Sequence, residues 1–273
     1  MRSKLVYPFA LAVVLVSALV SPASAMPARG AQLVVDDDKV ECPHAGFTHI
    51  QDAIDAASPG DAIHICKGIY IEQVTIRKPL DIDADNGAIL MPSAMRANTI
   101  SLFDAAPIAT ALLVADTPGV SISGLTVDGV NNGVSQCAPD LIGILFQNAS
   151  GELNRVAVRN FKLTASLNGC QSGTGIFVQS GNGGVSKVEI DRCTVHDFQK
   201  NGITADEKGT VATIRRNVVT GIGATTGAAQ NGVQIGFGAA GSILENVVTN
   251  NVWAPCTAIA ACTAVATNIL VKI

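Results

Sequence analysis

One short pattern recurs five times between Val120 and Val248: an aliphatic residue, an apolar or amide residue three places on, and Val two places later. The copies are Ile122-Leu125-Val127, Leu153-Val156-Val158, Ile190-Cys193-Val195, Ile214-Asn217-Val219 and Ile243-Asn246-Val248. Their closing valines lie 31, 37, 24 and 29 residues apart. A second marker alternates with the first, Gly followed by Ile or Val, at Gly143-Ile144, Gly175-Ile176, Gly202-Ile203 and Gly232-Val233, spaced 32, 27 and 30 residues. Two alternating markers with a variable period in this range describe a chain wound in stacked coils. The step of two inside each copy is strand periodicity.

Residues 1–25 read as a secretory leader. Arg2 and Lys4 precede an apolar run from Leu5 to Val20, and Ala23-Ser24-Ala25 is a small-residue cleavage site. The expected location is therefore secreted or periplasmic. Residues 26–273 are expected to form a single domain, and no later stretch is long and apolar enough to be a transmembrane segment. Loss of the leader takes the net charge from −4 to −6, which argues against nucleic acid as a partner. Only 4% of the residues are aromatic, so broad stacking platforms for sugars are not expected. Seven cysteines in an exported chain suggest disulfides, with one thiol left over.

Asp36, Asp37 and Asp38 read as a solvated turn. Beyond them Ile50, Ala53, Ile54 and Ala57 fall at helical spacing, with Thr48 as the expected cap, and Ser58-Pro59-Gly60-Asp61 ends the helix. Strands follow at Ala62 to Cys66, Ile69 to Ile76 and Leu80 to Ile82. A helix before the first coil would cover that coil's exposed apolar end.

The run Phe47-Thr48-His49-Ile50-Gln51-Asp52-Ala53-Ile54, with Ser58-Pro59-Gly60-Asp61, Gly68-Ile69-Tyr70-Ile71-Glu72 and Lys78-Pro79-Leu80, resembles the first coil of pectin-lyase-like proteins. The later repeats extend the resemblance over most of the mature chain. It implies an all-β fold, a right-handed parallel β-helix with a short N-terminal capping helix. It implies no one activity, because unrelated chemistries share this solenoid. Pectin methylesterases open similarly, but their Gln-Asp-Thr, Asp-Phe-Ile-Phe-Gly and Gly-Arg-Pro-Trp segments are missing. The Asp-Pro-His-Asp signature of alginate epimerases is missing too.

Stacked coils predict columns. Leu125, Val156, Cys193, Asn217 and Asn246 form an interior column that ends as an asparagine ladder. Val130, Phe161, Phe198 and Ile222 form a second one. Cys137 and Cys170 occupy the same loop on successive coils, Cys256 and Cys262 lie in the equivalent later loop, and Cys42 and Cys66 bracket the helix. The expected disulfides are therefore Cys42–Cys66, Cys137–Cys170 and Cys256–Cys262, with Cys193 in the core. Ala266 to Ile273 reads as the opening strand of another coil without a polar cap. The domain is thus expected to be truncated at its C-terminal end, or to self-associate there.

Chemistry is sought on the strands after the Gly-Ile markers. Their outward side chains give Gln147, Gln179, Asp206 and Gln234, amides and a carboxylate suited to sugar hydroxyls. A competing register gives Leu145, Phe177, Thr204 and Gln234. Asp206, Lys200 and His196 are the weak catalytic candidates, Asp206 with Lys200 as the base and cation of a lyase. Two further columns, Arg155-Arg192-Arg216-Glu245 and Asp128-Arg159-His196-Thr220, read as surface ion pairs. The four histidines have no metal-ligand spacing, and neither metal nor cofactor is expected. The expected function is that of a polysaccharide-associated protein without an identifiable catalytic set. The alternatives are a lyase or hydrolase on an acidic polysaccharide, and a structural or protein-binding scaffold.

Overall fold

The computed structural model describes residues 30–254 and 266–272. The leader and the Cys256–Cys262 pair lie outside the described residues. The chain forms three sheets of eight, seven and eight strands. The strands visit the three sheets coil by coil, so hydrogen-bonded neighbours along each sheet lie one coil apart and run parallel, apart from one short antiparallel strand that joins the third sheet. This is a parallel β-helix.

The two sequence markers are one contact. Ile144, Ile176, Ile203 and Val233 stand opposite one another in the third sheet and are fully buried. Val127, Val158, Val195, Val219 and Val248 stand opposite one another in the second, the first four fully buried and Val248 partly so. A Cβ on Gly143, Gly175 or Gly202 would lie only 2.5–2.7 Å from the carbonyl oxygen of the next marker glycine, and it would also meet a methyl of Val158, Val195 or Val219. The glycine is bare because the marker valine of its coil fills that space.

The asparagine ladder is present. Asn217 accepts from the Cys193 backbone N–H at 2.8 Å and donates to the Ile190 carbonyl at 2.9 Å. Asn246 accepts from the Asn217 backbone N–H at 2.8 Å and donates to the Ile214 carbonyl at 2.8 Å. Cys193 above them is buried, and burial pushes its thiol up to about 12. Phe161 and Phe198 stack in the interior, but Val130 and Ile222, expected in the same column, are exposed. Before the Phe161 coil the chain turns away, and the buried Asn132 bonds the Gly129 and Lys162 carbonyls instead.

The helix spans Ile50–Ala56 and buries Ile50, Ala53 and Ile54 against the first coil. Thr48 does not cap it. The Glu72 carboxylate accepts the Ile50 and Gln51 N–H groups at 2.7 and 2.9 Å, so the cap comes from a strand-side residue 22 positions away. Asp36 is not solvated either. It is buried and accepts the Cys42 N–H, while Asp37 accepts that of Ile69 at 2.9 Å. Disulfides join Cys42 to Cys66 and Cys137 to Cys170.

Candidate functional site

The third sheet bends. Its strands Asp140–Gln147, Thr174–Gln179, Asn201–Asp206 and Asn231–Gly236 each carry the marker glycine near the start. Residues three apart on a straight strand face opposite ways. Here Asn231 Nδ2 donates to Gln234 Oε1 at 3.2 Å, so the strand folds at Gly232 and its outer surface is concave. Repeated on each coil, the bend makes a valley along the outside of the solenoid.

A hairpin fills the N-terminal half of the valley. Thr99–Ile100 pairs antiparallel with the start of Pro107–Ala115, the one antiparallel pairing among the described residues. Beneath it Ile108, Leu113, Ile142 and Leu145 form an apolar cluster separate from the main core. Gln147 accepts from Thr99 Oγ1 at 2.8 Å and donates to the Ile100 carbonyl at 2.7 Å. Gln179 accepts the Leu102 N–H at 3.0 Å and donates to Ser101 Oγ at 3.4 Å. Both glutamines, expected to bind substrate, are buried and bonded to the hairpin, and neither lines the open cleft. Nothing in their local sequence signals the hairpin's return across them.

The other half of the valley is a cleft of about 690 Å³. Its lining includes Phe177, Asn201, Thr204, Asp206, Asn231 and Gln234, with Asp140, Lys200, Phe237 and Lys272 around them. The register settles the two alternatives. Leu145, Phe177, Thr204 and Gln234 stand in one column, and Gly236, not Gln234, is opposite Asp206. Gln234 still meets Asp206, donating to its oxygens at 2.9 and 3.2 Å from the neighbouring coil. Asn231 Nδ2 also approaches Asn201 Oδ1 at 3.2 Å, and Thr267 Oγ1 donates to Asn231 Oδ1 at 3.1 Å. The buried Thr204 hydroxyl has no hydrogen-bond partner among the described residues.

Burial pushes the Asp206 carboxyl up to about 6 against the opposing effect of the Gln234 amide. Burial, with the Asp104 carboxylate, pushes Asp140 to about 6 as well. Lys200 donates to the Ala229 carbonyl at 2.8 Å, and burial lowers its pKa. The strand ends at Asp206, and Glu207 turns away with φ +78°. His196 is on the second sheet, 2.7 Å from Asp197 and outside this cleft. On the same sheet Arg159 pairs with Asp128 at 2.7 Å, and at the neighbouring corner Arg216 pairs with Asp191.

Asp140, Asn201, Asn231, Phe237 and Lys272 did not stand out in the sequence. Asn201 and Asn231 had a legible signal, since each directly precedes a marker glycine, the position at which the strand folds.

No protein-family model and no curated protein matches the chain. Solved structures do. The lacto-N-biosidase of family GH136 from Eubacterium ramulus aligns with TM-score 0.52 and 13% identity over 76% of this chain and 43% of that one. A pectin methylesterase bound to a hexasaccharide aligns with TM-score 0.41 and 16% identity over 77% of this chain and 66% of that one. The pectin methylesterase of Aspergillus niger aligns with TM-score 0.41 and 12% identity over 90% of this chain and 87% of that one. This chain thus spans less than half of the lacto-N-biosidase and just under two thirds of the hexasaccharide-bound esterase. At such identities the likeness concerns the fold, the right-handed parallel β-helix.

Proposed function

We infer that this protein binds a saccharide chain in the cleft on the third sheet. The observation that carries the reading is the Thr204 hydroxyl. It is 2% exposed, has no partner among the described residues and belongs to a residue that lines the cleft. A buried hydroxyl left unbonded costs about 1–3 kcal/mol, and rotation of the Thr204 side chain towards the cleft would let a ligand hydroxyl offset it. Around it the amides of Asn201, Asn231 and Gln234 offer donors and acceptors, and Phe177 and Phe237 offer ring faces. Carbohydrates present that alternation of hydroxyls and C–H surface. The leader, the disulfides and the polysaccharide-related names of the structural neighbours support an exported protein that meets polysaccharide outside the cell.

The test is binding of the wild type and Thr204→Val to a panel of neutral and uronate oligosaccharides by calorimetry. The isosteric valine removes the hydroxyl and suits a strand. Saccharide affinity should fall about tenfold, the worth of one hydrogen bond. Fold stability should hold or rise. Equal affinity in the two proteins would remove the cleft from the reading.

A second reading is hydrolysis of the bound chain, favoured by two carboxyls that line the cleft, the half-buried Asp140 and the buried Asp206. Glycoside hydrolysis needs one protonated carboxyl and one ionised one. It requires that Asp206→Asn and Asp140→Asn each abolish release of reducing sugar while binding persists.

A further inference from the structure

The hairpin over residues 99–107 stops the valley instead of roofing it. Along the outward column the side chains pass from Leu113 and Leu145, sealed in the cluster at the hairpin, through half-buried Phe177 to Thr204 and Gln234 in the open cleft. The hairpin tip reaches the cleft's far lip, where the Phe103 ring stands 6.4 Å from that of Phe237. Burial, together with the Asp104 carboxylate at that tip, raises both Asp140 and Glu207. The hairpin is fastened to the floor by Gln147 and Gln179, two buried amides with no other visible task.

We propose that this hairpin makes the cleft blind at one end, so that the site receives the terminal residues of a neutral glycan and excludes the interior of a chain. The inference rests on the saccharide-binding reading above. A chain interior must leave a site at both ends, and here one exit is closed where the outward column is buried at Leu113 and Leu145 beside the hairpin. The charge around the closed end selects the class of sugar. Asp140 and Asp206 line the cleft, with Asp104 acting on the first and Glu207 on the second, against Lys200 and Lys272, and the Lys272 ammonium lies over the Phe237 ring at 4.1 Å. A terminal uronate would add a further anion to four carboxyls, whereas a neutral sugar meets groups that accept its hydroxyls.

Stoichiometry tests this directly. Calorimetric titrations would use cello-, xylo-, galacto- and N-acetylchito-oligosaccharides of increasing length, with oligogalacturonates as the uronate arm. End binding predicts that the number of protein molecules bound per chain stays constant as chains lengthen, and that the oligogalacturonates bind more weakly. A number that rises with chain length, or a preference for oligogalacturonates, overturns the proposal while leaving saccharide binding intact. Failure of every oligosaccharide to bind overturns the saccharide reading and this inference together. A variant with residues 101–105 replaced by a two-residue Asn-Gly turn opens the stopped end. It should bind several-fold more protein per long chain than the wild type, and unchanged stoichiometry in the folded variant counts against the stopper. Phe103→Ala, a milder change at the tip, should weaken discrimination between chain end and interior without altering the fold.

Discussion

At the scale of single residues, Asp206 and Asn217 show how burial decides what a polar side chain does. Asp206 carries a pKa of about 6 in the folded protein, above the ordinary carboxylate range, so the folded state holds the proton more tightly than the unfolded chain. The stability this allows is complete below about pH 4, and it declines as the pH rises through about 6. Asp206→Asn removes the titration and keeps an acceptor for Gln234. The variant should match the wild type near pH 4 and exceed it by on the order of 2–3 kcal/mol above pH 7. Denaturant unfolding across pH provides the check, and parallel curves for the two proteins would refute it. Asn217 has the opposite role. Its side chain satisfies buried backbone groups on two coils, so Asn217→Leu should cost about 1–3 kcal/mol in the same assay. Wild-type stability in that variant would remove the ladder from the account.

At the scale of elements, the bent strand of the third sheet is the device from which the cleft is made. Its glycine lets Val219 press against the backbone at Gly202, and the fold at that glycine turns Asn201 and Thr204 towards the same cleft. Gly202→Ala would place a methyl 2.5 Å from the Gly232 carbonyl oxygen and against Val219. Because backbone must move, the expected cost is more than about 2 kcal/mol, with loss of saccharide affinity. Thermal unfolding and calorimetry on this variant are the measurements, and a stable variant with intact binding would mean that the bend does not depend on the glycine. The hairpin and the helix share a different lesson. Each is held by side chains distant in sequence, Gln147 and Gln179 in one case and Glu72 in the other.

At the scale of the whole molecule, the sheets end on Ala240–Leu244, Val247–Trp253 and Thr267–Val271. Among the described residues no strand pairs with their outer edges. Ile269 continues the buried column of Ile203 and Val233 yet is 49% exposed, where Val233 is fully buried. Unpaired edges with apolar inner faces invite further pairing. We propose that a polypeptide limited to residues 26–273 self-associates through this edge as its concentration rises, measured by light scattering. A monomer that persists at high concentration would show that the edge is otherwise protected.

The sequence by itself determined the coils. A stacked solenoid brings the same position of successive repeats together, so the valine and glycine markers, the asparagine ladder and the Cys137–Cys170 proximity were legible as spacings. It also drew attention to Asp206, Lys200 and Gln234, all of which line the cleft. Only the tertiary structure decided which of the expected residues border that cleft. Gln234 falls two places after its marker glycine, as Thr204 does, so its column is countable from the sequence and belongs with Thr204, not Asp206. The hairpin, by contrast, took Gln147 and Gln179 for its own anchorage. Its return has no local sequence signature, because it arises from a segment folding across coils it does not adjoin in sequence. Periodicity encodes contacts between equivalent positions, and the cleft is built from contacts between positions that are not equivalent.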